Sequence, residues 1–182
     1  MNETLNSKDR KLLLELARNA ITTAVKTGKS TVTEGNATQL LGQQGCFVTI
    51  KLHGTLRGCI GNFNSDKPLY QLVQELAISA ATRDPRFYPM KEEDLVGFEL
   101  EISVLSPLTK ITSPEEVVVG THGLYLEKNF SRGVLLPQVA VEQGWSREMF
   151  LNQTALKAGL KREDWKEGAD LYIFTAQVFG EN

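Results

Sequence analysis

The chain has 182 residues, of which 41% are apolar, 23% charged and 8% aromatic, with a formal net charge of −2. Those values fit one soluble globular domain able to bury a full core, here expected as two lobes over residues 1–182. They exclude a general electrostatic pull toward nucleic acid, and no apolar run approaches the roughly 18 residues of a membrane-spanning helix. The start, Met1-Asn2-Glu3-Thr4-Leu5, lacks a basic stretch followed by an apolar one, so no secretory signal is expected and a reducing cytoplasm is the default.

Taken in chain order, Ser7 is placed to cap a helix running to Thr27, with Gly28 as its stop. Leu13, Ala17, Ala20 and Ala24 form its apolar stripe, widened by Leu14, Ile21 and Val25. Gly35 to Gln44 is polar apart from Leu40-Leu41 and reads as a loop. Cys46 to Leu52 reads as a strand, and His53-Gly54 as a two-residue turn into a second strand, Leu56 to Gly61. A simple register then sets Val48 opposite Cys59, Ile50 opposite Arg57, and Phe47 and Lys51 opposite Ile60 and Leu56. Cys46 faces Gly61, so the two cysteines are diagonal and unsuited to a disulfide.

Asp66 is a candidate cap for a second helix with Pro68 in its first turn. Leu69, Leu72, Val73, Leu76, Ala77 and Ala80 mark its buried face, and the helix should fail at Arg83-Asp84-Pro85. An Asp84–Arg86 ion pair would hold the loop that follows. Glu99 to Leu105 alternates as a strand, and Leu124–Lys128 with Val134–Leu136 form a hairpin across Asn129 to Gly133. Ser146 caps a helix to Ala158, with Gly159 and Leu160 suited to a Schellman ending, and Leu171 to Phe179 is a last strand. Hairpin-length connections between strands, mixed with helices, predict an α+β fold with a largely antiparallel sheet flanked by helices.

The candidate chemistry lies in Leu56-Arg57-Gly58-Cys59-Ile60-Gly61. Regular alternation puts Arg57 and Cys59 on one strand face, where a cation favours the thiolate. Gly58 and Gly61 remove side chains where a ligand or another backbone would approach. On spacing alone the same residues better suit a buried cysteine packing as a small hydrophobe. His122, in His122-Gly123, is the one candidate base for a Cys59–His122 pair, because His53 is too far along the hairpin. Two histidines and two cysteines occupy no recognised metal-ligand spacing, and no phosphate loop, dinucleotide fingerprint or nucleophile elbow is present. Neither a metal nor another cofactor is expected. The basic groups Lys8-Arg10-Lys11 and Lys157-Lys161-Arg162 read as solvated helix faces, so no nucleic-acid partner is expected.

The hexapeptide Leu56–Gly61 resembles the signature of the AMMECR domain family, annotated in prokaryotes as AmmeMemoRadiSam system protein A. Asp84-Pro85-Arg86-Phe87, Ile102 to Pro107, His122-Gly123-Leu124 and Leu135 to Ala140 are similar to further family motifs in the same order. So are Lys157-Ala158-Gly159-Leu160, the following Trp165, and Phe174-Thr175-Ala176. The chain departs at Ala155, where many members carry a cysteine; this argues against a mechanism needing a second family cysteine there. The resemblance implies an α+β fold with a larger and a smaller lobe, a cleft beside the signature strand, and an intracellular protein of unestablished activity. It implies association with Memo-like and radical S-adenosylmethionine proteins. It carries the presumed site to Arg57, Cys59, Asp84, Arg86, His122 and Gln138. Two readings follow. One is an enzyme using Cys59 as nucleophile or thiol acid–base group, with Arg57 holding a small anionic substrate. The other is a non-catalytic module whose glycine-flanked strand and Asp84–Phe87 loop bind a protein or small ligand.

Overall fold

A computed structural model describes residues 4–34, 40 and 42–181, so part of the expected 35–44 loop and the first three residues lie outside the described residues. The chain divides into two compact units, residues 1–105 with 177–182, and residues 106–176. Within the described residues the fold is α+β, built from four helices and two four-stranded sheets whose paired strands run antiparallel.

The first unit holds helix α1 (Ser7–Thr27), strands β1 (Cys46–Leu52) and β2 (Thr55–Asn62), helix α2 (Leu69–Thr82) and strand β3 (Phe98–Leu105). Asn6, one residue earlier than expected, caps α1 by accepting from the Asp9 N–H, and Gly28 ends it with φ of 69°. Pro68, not Asp66, is the N-cap of α2. Leu13, Ala17 and Ile21 of α1 and Leu72, Val73, Leu76 and Ala77 of α2 pack on Cys46, Val48 and Ile50 of β1 and Leu100, Ile102 and Val104 of β3. The helices therefore cover one face of the sheet, and period-two alternation turns Phe47, Thr49 and Lys51 to the other.

The second unit opens with β4 (Thr109–Ile111), then β5 (Gly123–Lys128), β6 (Ser131–Leu135), α3 (Pro137–Glu142), α4 (Arg147–Lys157) and β7 (Asp170–Phe174). Its strands run β4-β7-β5-β6, and Leu124, Leu126, Phe150, Leu151, Ala155 and Leu171 form its own core. Ser146 caps α4, and Leu160 N–H to Ala155 C=O with Gly159 N–H to Leu156 C=O complete the Schellman ending. The β5–β6 turn is tighter than expected, with Asn129-Phe130 at its tip.

The expected last strand is two strands. Thr175 interrupts it, β7 stays in the second sheet, and β8 (Ala176–Gly180) joins β3 in the first, giving the order β2-β1-β3-β8. The chain thus enters the second unit at Ser106 and leaves it after Ala176, and Ser106 and Thr175, both within that unit, are tied together. Ser106 N–H donates to Thr175 C=O and Thr175 N–H to Ser106 Oγ, both at 2.9 Å.

Candidate functional site

The signature strand is irregular where regular alternation was expected. Its pairs with β1 are Thr49–Cys59, Ile50–Gly58 and then Lys51–Leu56, so Arg57 is the extra residue of a β-bulge. Leu56 and Gly58, two residues apart, consequently lie on opposite faces. The simple register is corrected by one residue on the Cys59 side of the bulge, and Arg57 and Cys59 do not share a regular strand face. Cys59 stands opposite Thr49 on the face away from the helices, whereas Cys46 is buried on the helix side. The two thiols are separated by the sheet rather than diagonal on one face, and both are free.

Arg57 is directed to a carboxylate that no local pattern announces. Its Nη2 donates to Asp94 Oδ2 at 3.2 Å, in the turn before β3, and both side chains are largely buried. Asp94 also accepts from the Lys91 N–H. The second terminal nitrogen of Arg57, Nη1, is buried without a hydrogen-bond partner.

The signature glycines make room for the protein's own atoms. A Cβ on Gly58 would lie 2.2 Å from the Ala80 carbonyl oxygen of α2, so the helix packs onto strand backbone there. A Cβ on Gly61 would lie 2.2 Å from the Phe47 ring, which in turn meets Phe63 edge-on at 5.0 Å.

The Cys59 main chain is clamped by the loop after α2. Cys59 N–H donates to Asp84 Oδ2 at 2.9 Å, and Arg86 Nη2 donates to Cys59 C=O at 3.2 Å. Arg86 is itself fixed on Asp84, through its main-chain N–H, Nε and Nη2 at 3.1, 3.0 and 2.7 Å. The expected Asp84–Arg86 ion pair is present, and it does more than hold its own loop. Because β2 is an edge strand, Asp84 and Arg86 stand where a neighbouring strand's acceptor and donor would be. Asp84 is 1% exposed at its side chain, and the Arg86 guanidinium holds its carboxyl well below the usual carboxylate range, helped by the Cys59 and Arg86 N–H groups. The Arg86 side chain is 54% exposed, and its charged form is favoured by Asp84.

With its N–H and C=O turned outward, Cys59 forms a non-hydrogen-bonded pair with Thr49, the kind that brings side chains closest. Thr49 Oγ1 donates to Cys59 Sγ at 3.2 Å, and Cys59 is half-buried. In the next strand Glu101 stands opposite Thr49 and accepts from Lys51 Nζ at 3.3 Å. A cavity of about 240 Å³ lies there, lined by Lys51, Glu99, Glu101 and β8. Thr49 and Lys51 escaped the sequence reading because a single threonine or lysine in a strand has no local signature.

The remaining candidates belong to the second unit. His122 lies just before β5, and its Nδ1 accepts from the Val118 N–H at 3.1 Å. Gln138 lies in the first turn of α3. His53, at the β1–β2 turn with φ of 51°, is four residues along β1 from Thr49, roughly 13 Å at strand rise. The first unit therefore holds Arg57, Gly58, Cys59, Gly61, Asp84 and Arg86 together, and the second holds His122 and Gln138.

Fold and site define an α+β protein of two sheeted units with a thiol on a clamped edge strand. The sequence model of the AMMECR1 family matches residues 14–179, so the chain belongs to that family. Protein MK0488 of Methanopyrus kandleri is 40% identical, covering 100% of this chain and 92% of its own. Protein MJ0810 of Methanocaldococcus jannaschii is 42% identical over 85% of this chain and 81% of its own. The crystal structure of an uncharacterized protein, PH0010 from Pyrococcus horikoshii, superposes with a TM-score of 0.89 at 38% identity, covering 98% of this chain and 94% of that one.

Proposed function

We propose that this protein is a cysteine-dependent intracellular enzyme acting on a small anionic substrate, with Cys59 as nucleophile or thiol acid–base group. The supporting observation is the Thr49 hydroxyl directed at the sulfur of half-buried Cys59 at 3.2 Å. A hydroxyl donor on sulfur and a half-buried setting hold the thiol in one orientation at the sheet surface. Arg86 replaces Arg57 as the anion-holding residue. Arg57 is spent on Asp94, whereas Arg86 is half-exposed and anchored to the Cys59 main chain. Planar guanidinium suits carboxylate or phosphate.

A second reading has its own observation. Both arginines of the signature region are already matched to carboxylates of this chain, Asp94 and Asp84, as in a scaffold. In that reading the protein is a non-catalytic module for a small ligand or a protein, with Memo-like and radical S-adenosylmethionine proteins as the proposed partners.

Alkylation of the folded protein with iodoacetamide across pH separates the two. The enzyme reading expects Cys59 to react in the folded state, at a rate that falls in Thr49→Val and in Arg86→Gln. Folded Cys59 that stays inert, or a rate unchanged in both variants, removes the enzyme reading and leaves the module.

A further inference from the structure

We infer that this protein forms a symmetric homodimer through its second unit, the Phe130 ring of each copy seated in a pocket walled by Trp165 of the other. Both halves of that contact lie within residues 106–176. The first half is a hairpin tip. Phe130 occupies the two-residue turn between β5 and β6 and is fully exposed. Turn chemistry favours Gly, Asn, Asp or Ser at such a place, not a phenyl ring. A single exposed apolar residue is ordinary on a protein surface. What distinguishes this one is the hollow beside it. That hollow, the second half, is a cavity of about 420 Å³ where β4 and β7 part beyond their last pair, Ile111–Leu171. Its size is that of a small-ligand pocket. Ile111, Pro114, Ala169 and Leu171 supply apolar walls and Trp165 an aromatic one. The polar groups around it are engaged within the chain. Trp165 Nε1 donates to Asn152 Oδ1 at 2.7 Å, and the Thr112 N–H to Glu116 Oε1 at 2.9 Å. Asp170 pairs with Lys110 at 2.8 Å and Lys166 with Glu163 at 2.6 Å. What the pocket presents is therefore apolar and aromatic surface, which is what a phenyl side chain buries.

Position and charge select a second copy as the occupant. Lys128, at the base of the tip, donates from Nζ to the Asp164 C=O at 3.0 Å. Its Cε lies 3.9 Å from where a Cβ on Gly168 would stand. The tip is thus a neighbour of the segment that carries Trp165, and Phe130, being fully exposed, does not fill the pocket of its own chain. A ring and a pocket side by side on one surface suit a two-fold axis, which seats both rings at once and closes the assembly. The charges agree. The hairpin end carries Lys128 and Arg132 against Glu127, whereas the pocket rim carries Asp170, Glu163 and Glu148 against Lys110 and Lys166. A net positive tip meets a net negative rim.

The test is sedimentation equilibrium of the full chain over a concentration series. The wild type should show a monomer–dimer equilibrium. Phe130→Ala keeps the fold, because the exposed ring has no cover to lose. It should raise the dimer Kd about a hundredfold or more, since two rings each lose a burial worth roughly tenfold. Ala169→Leu, which fills the pocket, should weaken the dimer in the same way. Mixing the two variants should restore part of the association, because the ring of one still meets the open pocket of the other. A wild type that stays monomeric, or a dimer indifferent to Phe130→Ala, would overturn the inference. Two weakened, folded variants that fail to recover on mixing would overturn it as well. So would a monomeric wild type that binds phenol saturably with quenching of Trp165, which would give the pocket to a small molecule.

Discussion

Replacing Asp84 by alanine tests the clamp on the signature strand. The substitution removes the acceptor of four hydrogen bonds, from Cys59 N–H and from three nitrogens of Arg86. The Cys59 N–H would lose its partner at an edge strand, at a cost of about 1–3 kcal/mol for an unsatisfied group. The full loss of a buried pair is about 3–5 kcal/mol, but Arg86 is half-exposed and water would take over part of its share, so about 2–4 kcal/mol is expected. For a chain of this size that corresponds to a fall in Tm of roughly 5–15 °C. The effect must also depend on pH in a fixed direction. The Asp84 carboxyl is held below its ordinary range, so its contribution is complete above the unfolded value of about 3.9 and is lost as pH falls below it. Melting followed by circular dichroism should therefore separate wild type from Asp84→Ala fully near neutral pH, and the two curves should converge in acid. Superimposable melts at neutral pH, or a gap that widens in acid, would refute the clamp.

Arg57→Ala should lower Tm because it strands Asp94, and a double-mutant cycle with Asp94→Ala should return a coupling of about 1–3 kcal/mol; additive effects would deny the pair. Gly58→Ala should cost about 1–3 kcal/mol in denaturant unfolding, because helix backbone at Ala80 must give way. The atoms nearest a Cβ on Gly61 are those of the Phe47 ring, so Phe47→Leu should recover much of the loss in Gly61→Ala, and no recovery would dispute that contact. Mass measurement after alkylation without reductant should show two labels on the unfolded chain and one on the folded chain, at Cys59. Cys46 should stay unlabelled when folded because burial pushes its thiol up to about 12, and a folded-state label there would contradict its place in the core.

How much of this was legible in the sequence depended on the range of the signal. Helices α1, α2 and α4 were readable because Leu13-Ala17-Ala20-Ala24, Leu69-Leu72-Val73-Leu76 and the Ser146 cap repeat or stop at local spacings. The bulge was not readable. Nothing in Thr55-Leu56-Arg57-Gly58 marks which residue is extra, since that is defined only by how β2 pairs with β1. The Asp84–Arg86 pair was foreseeable at two residues' separation, whereas its bonds to the Cys59 main chain and the Arg57–Asp94 pair join parts distant in sequence. Leu171 to Phe179 reads as one strand because its β character is nearly continuous, and only the three-dimensional arrangement assigns its halves to different sheets.

The split of the first unit across the sequence sets the order in which the polypeptide matures. Residues 106–176 are contiguous, whereas the first unit needs β8, which is made only after them. On the ribosome the second unit can complete its core while β3 still lacks its outer neighbour. During that interval β3 presents an unpaired edge, a template for unwanted association with other chains. Closure comes when β8 docks and Glu181 reaches back to Arg18 and the Leu100 N–H, joining the end of the chain to its first helix. Substitutions that slow folding of the second unit should therefore show their damage as aggregation through the first.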